Sequence, residues 1–266
     1  FPYALTFTGH GLAALCIFGV AWGVLQLGRH EAGSPAWARA AIVAGFFGGA
    51  TPFAEYPAAL IAAPLLAAGF FVVPGNVNRL RLFAMYAAGG AAPFALGLWA
   101  HNEMWGAPWR TGYAYLENKG YQVTHGEGFF GVTYPKPNAV GGALFSPGTG
   151  LFFYSPVLVM GLWGLFDALN KQGAQERLRR PLAVASIAGL LASLYFIGAH
   201  RGWRGGWTLG PRYIVGLAPL LWLWAVESAR SPKRRPWLAS LGALSIVTTG
   251  FAAALYPHLS DVYTNP

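Results

Sequence analysis

The chain has 266 residues, 55% of them hydrophobic and 10% charged, with a formal net charge of +9 and a mean hydropathy of +0.42. A soluble domain carries roughly 25% charged residues, and one of this size needs a far larger charged surface. The composition therefore excludes a soluble enzyme, a disordered chain and a nucleic-acid binder. It leaves a membrane protein whose basic excess should sit in its loops.

Crossing a bilayer takes about 20 apolar residues. Eight stretches are read as spans, at 9–28, 38–54, 56–74, 82–102, 150–168, 181–199, 213–228 and 237–256. The expected fold is all-α: a polytopic helical bundle forming a single transmembrane domain over 1–266. The second span is short and carries Pro52, so a tilt, a kink or a merger with the third is expected, the turn between them falling at 51–57. Pro64, Pro93 and Pro219 lie inside other spans, where neighbouring helices can satisfy the backbone groups they free.

The charges separate by side. Connections 29–39, 75–81, 169–180 and 229–236 hold 12 of the 18 basic residues, from Arg29 and Arg39 through Arg177, Arg179 and Arg180 to Arg234 and Arg235. That side has only Glu31, Asp167, Glu176 and Glu227 as acids. Positive loops mark the cytoplasmic face, so both ends of the chain are expected outside. The basic loops are read as setting topology and touching headgroups, without chemistry.

The outer side carries a long segment at 103–149, too long for a simple turn. It contains Trp105, Trp109, Arg110, Tyr113, Tyr115, Tyr121, His125 and Tyr134. Aromatic rings with scattered charges suit an interfacial belt or a sugar-binding surface, and both readings stay open. A second patch runs from His200 to Tyr213 and places Arg201, Arg204 and Arg212 where the charge rule disfavours them. Arginine offers a planar fork to phosphate, Trp203 and Trp207 flank it, and the glycines permit close backbone approach. A phosphate or phospholipid ligand fits the patch, with headgroup snorkelling as the alternative.

Glu55, in Ala54-Glu55-Tyr56-Pro57, is a carboxylate at a membrane boundary and hence a functional candidate. It suits a general base, a metal ligand or a structural partner for an outer arginine. His10 opens the first span and can share that surface. Cys16 stands alone, which excludes a disulfide or a thiol cluster. There is no phosphate-binding glycine loop, HExxH, GxSxG or dinucleotide fingerprint. The spans are poor in ionisable residues and show no internal repeat, which argues against a pump or transporter.

The order of Phe1-Pro2-Tyr3, Gly9-His10, Glu55-Tyr56-Pro57, Thr111-Gly112-Tyr113-Ala114-Tyr115, Leu144-Phe145-Ser146-Pro147, Gly150–Pro156, Gly205-Gly206-Trp207 and Gly210-Pro211-Arg212-Tyr213 resembles bacterial membrane glycosyltransferases. The group is the GT-C type, dolichyl-phosphate-mannose-mannosyltransferase-like. The resemblance implies transfer of a sugar from a polyprenyl-phosphate donor on the non-cytoplasmic face of the bacterial inner membrane. It implies an acidic base, for which Glu55 is the candidate. The implied substrate-binding set is His10, Tyr56, Arg110, Tyr113, Tyr115, His125, Arg201, Trp203, Arg204, Trp207 and Arg212. The chain departs from the family in one respect. Such enzymes carry their catalytic acid in the first outer loop, and this chain begins after that point and has no adjacent pair of acids. It reads as an internal piece of a longer protein, either such an enzyme or a non-catalytic membrane subunit derived from one. No cofactor is assigned, and a divalent metal has no support in the sequence. Expected partners are membrane lipids, the lipid-linked sugar and other membrane subunits, and no nucleic acid.

Overall fold

The computed structural model describes residues 9–115, 117, 119–126, 131–170, 176–204 and 212–255. Its helices are α1 Gly9–Leu27, α2 Pro35–Ala54, α3 Ala59–Val72, α4 Arg79–Trp105, α5 Lys119–Gly126, α6 Pro137–Phe145, α7 Leu151–Tyr154, α8 Val159–Asn170, α9 Glu176–Ala199, α10 Leu217–Ser228 and α11 Arg235–Leu255. Short 3₁₀ turns at Tyr56–Ala58, Pro156–Leu158, Arg212–Ile214 and Pro232–Arg234 lead into α3, α8, α10 and α11. Among the described residues, β structure is limited to an isolated bridge between Val132 and His200.

Local chemistry explains the boundaries. Ser34 caps α2 by accepting from the Trp37 amide at 3.2 Å, with Pro35 at the first helical position. Asn78 caps α4 in the same way, accepting from Leu80 and Arg81. The helix α4 stops at Gly106, whose φ of 74° is the left-handed conformation a helix terminus favours. The expected turn at 51–57 shrinks to one extended residue. α2 continues through Pro52 to Ala54, Glu55 has φ −164° and ψ 120°, and the 3₁₀ turn begins at Tyr56. Pro57 has no amide to continue the α-helical ladder.

Each of the eight expected spans contains a helix, but the expected count is corrected. Among the described residues, four segments are long and apolar enough to cross a membrane: Gly9–Leu27, Arg79–Trp105, Glu176–Ala199 and Pro232–Ala254. Tyr56–Val72, Pro156–Asn170 and Leu217–Ser228 are apolar but shorter. α2 has 20 residues but carries Arg39 in its second turn. Prolines shorten the runs: the 150–168 stretch breaks into α7, a 3₁₀ turn at Pro156 and α8. The expected loop at 103–149 likewise contains the end of α4 and the short helices α5 and α6.

Small residues bring the helices together. α2 lies on α4 with Gly45 against the Tyr86 backbone and Gly49 against Gly90, so side chains there would collide. α8 meets α10 through Gly161 and Gly164. Such small stripes let backbones approach closely where lipid leaves little hydrophobic drive between helices. Large apolar side chains also cover the outside of the bundle, although others such as Ile17, Leu27 and Trp37 are buried in its core. Leu12, Leu15, Phe18 and Trp22 of α1 are exposed while Ala13, Val20, Ala21 and Val24 are buried.

Helix ends gather into two groups. At one end, Arg177 donates to the Val73 carbonyl at 2.8 Å, Arg179 pairs with Glu227 at 2.7 Å, Arg234 pairs with Asp167, and Gly28 lies against Leu178. This is the basic end. At the other end, α1 begins beside the end of α2, and the start of α3 lies against His101 near the end of α4.

Candidate functional site

The non-basic end brings His10, Glu55 and Arg212 into one chain of contacts. Gly9 makes this possible, because a Cβ there would strike the Ala54 carbonyl. The start of α1 therefore sits directly on the end of α2, and the extended Glu55 turns its carboxylate to the next residue of α1. Glu55 Oε2 lies 3.0 Å from His10 Nδ1, with His10 buried and Glu55 17% exposed. From the far end of the sequence, Arg212 Nε donates to His10 Nε2 at 2.8 Å.

The donors fix the proton. An arginine N–H only donates, so His10 Nε2 accepts and the imidazole proton is assigned to Nδ1, the ring nitrogen that Glu55 Oε2 approaches to 3.0 Å outside hydrogen-bond geometry. The result is a carboxylate and a guanidinium against opposite nitrogens of one imidazole ring. Arg212 also stands beside the Tyr213 ring, with its guanidinium carbon 5.8 Å from the centroid.

A cavity of about 470 Å³ opens nearby, lined by Tyr56, Pro57, Leu60, Thr111, Tyr195, Phe196, His200 and Tyr213. Tyr56 and Tyr213 are the chain neighbours of Glu55 and Arg212 and connect the cavity to the three-residue chain. The size lies in the range of small-molecule sites, and so does a mostly apolar wall with a few polar groups. The Tyr56 hydroxyl is 3.3 Å from His101 Nε2, and the His101 ring meets Phe53 edge-on at 5.2 Å. His200 is buried between Phe196 and Tyr213, with ring centroids at 5.2 and 5.3 Å. The Val132 bridge and the Thr133 hydroxyl, which donates to the Ala199 carbonyl at 3.0 Å, pin the 131–136 segment beside the end of α9.

The remaining expected residues divide. Arg110 and Tyr115 form a group of their own below the end of α4. Tyr115 stacks on Trp105 at 5.2 Å, and Arg110 Nη1 donates to the Tyr115 hydroxyl at 3.1 Å. Trp203 packs on Gly142 of α6 and carries the Arg204 guanidinium 5.0 Å from its ring. The side chain of Arg201 is exposed, and its amide donates to the Gly131 carbonyl at 3.1 Å. The three arginines read as one phosphate patch thus have different neighbours, and Arg212 is the one tied to Glu55. The reason is structural: α9 ends at Ala199 and the turn at 201–204 leads toward α6, whereas Arg212 opens the turn into α10. The side chains of Tyr113 and His125, and all of Trp207, lie outside the described residues.

His101, Thr111, His200 and Tyr213 line or support the cavity without having been assigned a role from the sequence. Tyr213 and His200 bound the Arg-rich patch, which was the available signal. His101 had none, because its neighbours come from other helices. Among the described residues, no three His, Cys, Asp or Glu side chains gather as a metal site. Comparison of the chain with protein-family models, curated proteins and solved structures finds no match in any of the three.

Proposed function

We propose that the protein is a membrane glycosyltransferase-type enzyme acting on a polyprenyl-phosphate-linked sugar at the non-basic end of its bundle. The observation that carries this reading is the Glu55–His10–Arg212 chain beside an aromatic cavity. In the proposed reaction, an acceptor hydroxyl attacks the anomeric carbon while Glu55 takes its proton. The bond from that carbon to the phosphate oxygen breaks, and its electron pair stays with the polyprenyl phosphate. Arg212, held in place by His10, meets the charge on the departing phosphate. The rings of Tyr56, Phe196 and Tyr213 supply flat apolar surface for the sugar or the first isoprene units.

The same proposal places the helical bundle in the bacterial inner membrane, with the basic end cytoplasmic and both chain ends outside. It is supported by the separation of basic and non-basic ends in the bundle. Transfer assays on the full-length protein with polyprenyl-phosphate sugars test the reaction. Arg212→Gln is expected to reduce turnover by about 10²–10³-fold, the scale for losing one charge-stabilising donor. Unchanged turnover in both Arg212→Gln and Glu55→Gln would sink the reading.

A second reading, a non-catalytic membrane subunit, is favoured by one observation. Glu55 is already engaged by His10, as in a structural tie between helix ends. Absence of transfer by the full-length wild type, together with one constant co-purifying membrane partner, would select it.

A further inference from the structure

At the basic end, a slot of about 510 Å³ lies between α1, α9 and α10. On α1 its wall is a single stripe of Phe18, Ala21 and Leu25, with Arg29 in the turn that follows the helix. From Phe18 to Leu27, its last residue, α1 rises roughly 14 Å, about half of the ~30 Å hydrocarbon core. The slot is therefore one leaflet deep, apolar inside and basic at its mouth.

The charges at the mouth do not balance. Glu227 is gripped twice, by Arg179 on Oε1 at 2.7 Å and by Arg230 on Oε2 at 2.9 Å. One acid thus meets two cations, and Arg29 adds a third in the turn that follows α1. The nearby acid Asp167 is matched by Arg234, which also lies 4.3 Å from the Trp163 ring centroid. Glu176 pairs with Arg180 beside a separate groove between α3 and α9. The mouth keeps a surplus of positive charge above an apolar slot.

We propose that this slot binds an anionic phospholipid of the facing leaflet, with one acyl chain between the helices and the phosphate against Arg29 and Arg230. Basic pockets between membrane helices suit such headgroups. The proposal needs membrane insertion but not the transfer reaction, so either can fail alone.

The test uses the full-length protein in mild detergent after delipidation. Binding of dioleoyl phosphatidylglycerol, dioleoyl phosphatidylcholine and inorganic phosphate is read by native mass spectrometry and by the shift in thermal midpoint. Phosphatidylglycerol is expected to bind at least tenfold more tightly than phosphatidylcholine. Combining Arg29→Gln with Arg230→Gln should remove most of that preference, while Arg180→Gln should keep it. Leu25→Trp, which fills the slot, should weaken both lipids while leaving the protein folded. Equal binding of the two lipids, an unchanged preference in the double variant, or inorganic phosphate protecting as well as the lipid would each overturn the proposal.

Discussion

The chain from Glu55 through His10 to Arg212 predicts a coupling between two residues joined by a third. The perturbation is a double-mutant cycle with Glu55→Gln and Arg212→Gln. The path consists of a 3.0 Å contact and a 2.8 Å hydrogen bond on opposite nitrogens of one ring. Adding the ring width, the carboxylate and the guanidinium lie no more than roughly 8 Å apart. With an effective dielectric of about 20, unit charges at that distance attract by roughly 2 kcal/mol. Each single variant also leaves the buried His10 with a weaker partner, at a cost of about 1–3 kcal/mol. Once one end has been neutralised, removing the other should cost about 2 kcal/mol less than it does alone. Thermal denaturation in detergent reads the cycle, with each single variant lowering the midpoint by several degrees. Effects that add to within about 0.5 kcal/mol would show that His10 does not link the two charges.

Two more predictions follow from other contacts. Gly9→Ala places a methyl group against the Ala54 carbonyl; it should destabilise by about 1–3 kcal/mol, as overpacking does, and should also reduce any phosphate binding at Arg212. Gly75→Ala, at a site with open space around it, is its control and should change neither quantity. Arg234→Ala removes both the Asp167 pair and the contact with Trp163. It should lower stability by about 2–3 kcal/mol and leave binding at the opposite end unchanged; a neutral effect on the thermal midpoint would contradict a stabilising role for that partly buried pair.

Composition and hydropathy suffice for the class of this protein and for the approximate place of every long helix. Both are local properties: apolar runs make helices, and Ser34, Asn78, Pro57, Gly106 and Pro156 mark their limits within a residue or two. Charge counts along the chain likewise anticipate the basic end, because each loop brings its own arginines. Glu55, His10 and Arg212 were each recognisable as unusual, since each is polar at the edge of an apolar run.

Their meeting was not recognisable. Arg212 and His10 are 202 positions apart, and nothing in either neighbourhood names the other. The choice of Arg212 over Arg201 and Arg204 came from helix packing, since three arginines within one short segment look equivalent until packing gives each its own neighbours. The cavity has the same origin, because its wall draws on α3, α9 and the segments around Thr111, Val132 and Tyr213. Helix formation is written in short-range pattern and backbone chemistry, whereas a site assembled from helix ends depends on which small residues let which helices approach, and only the packed bundle decides that.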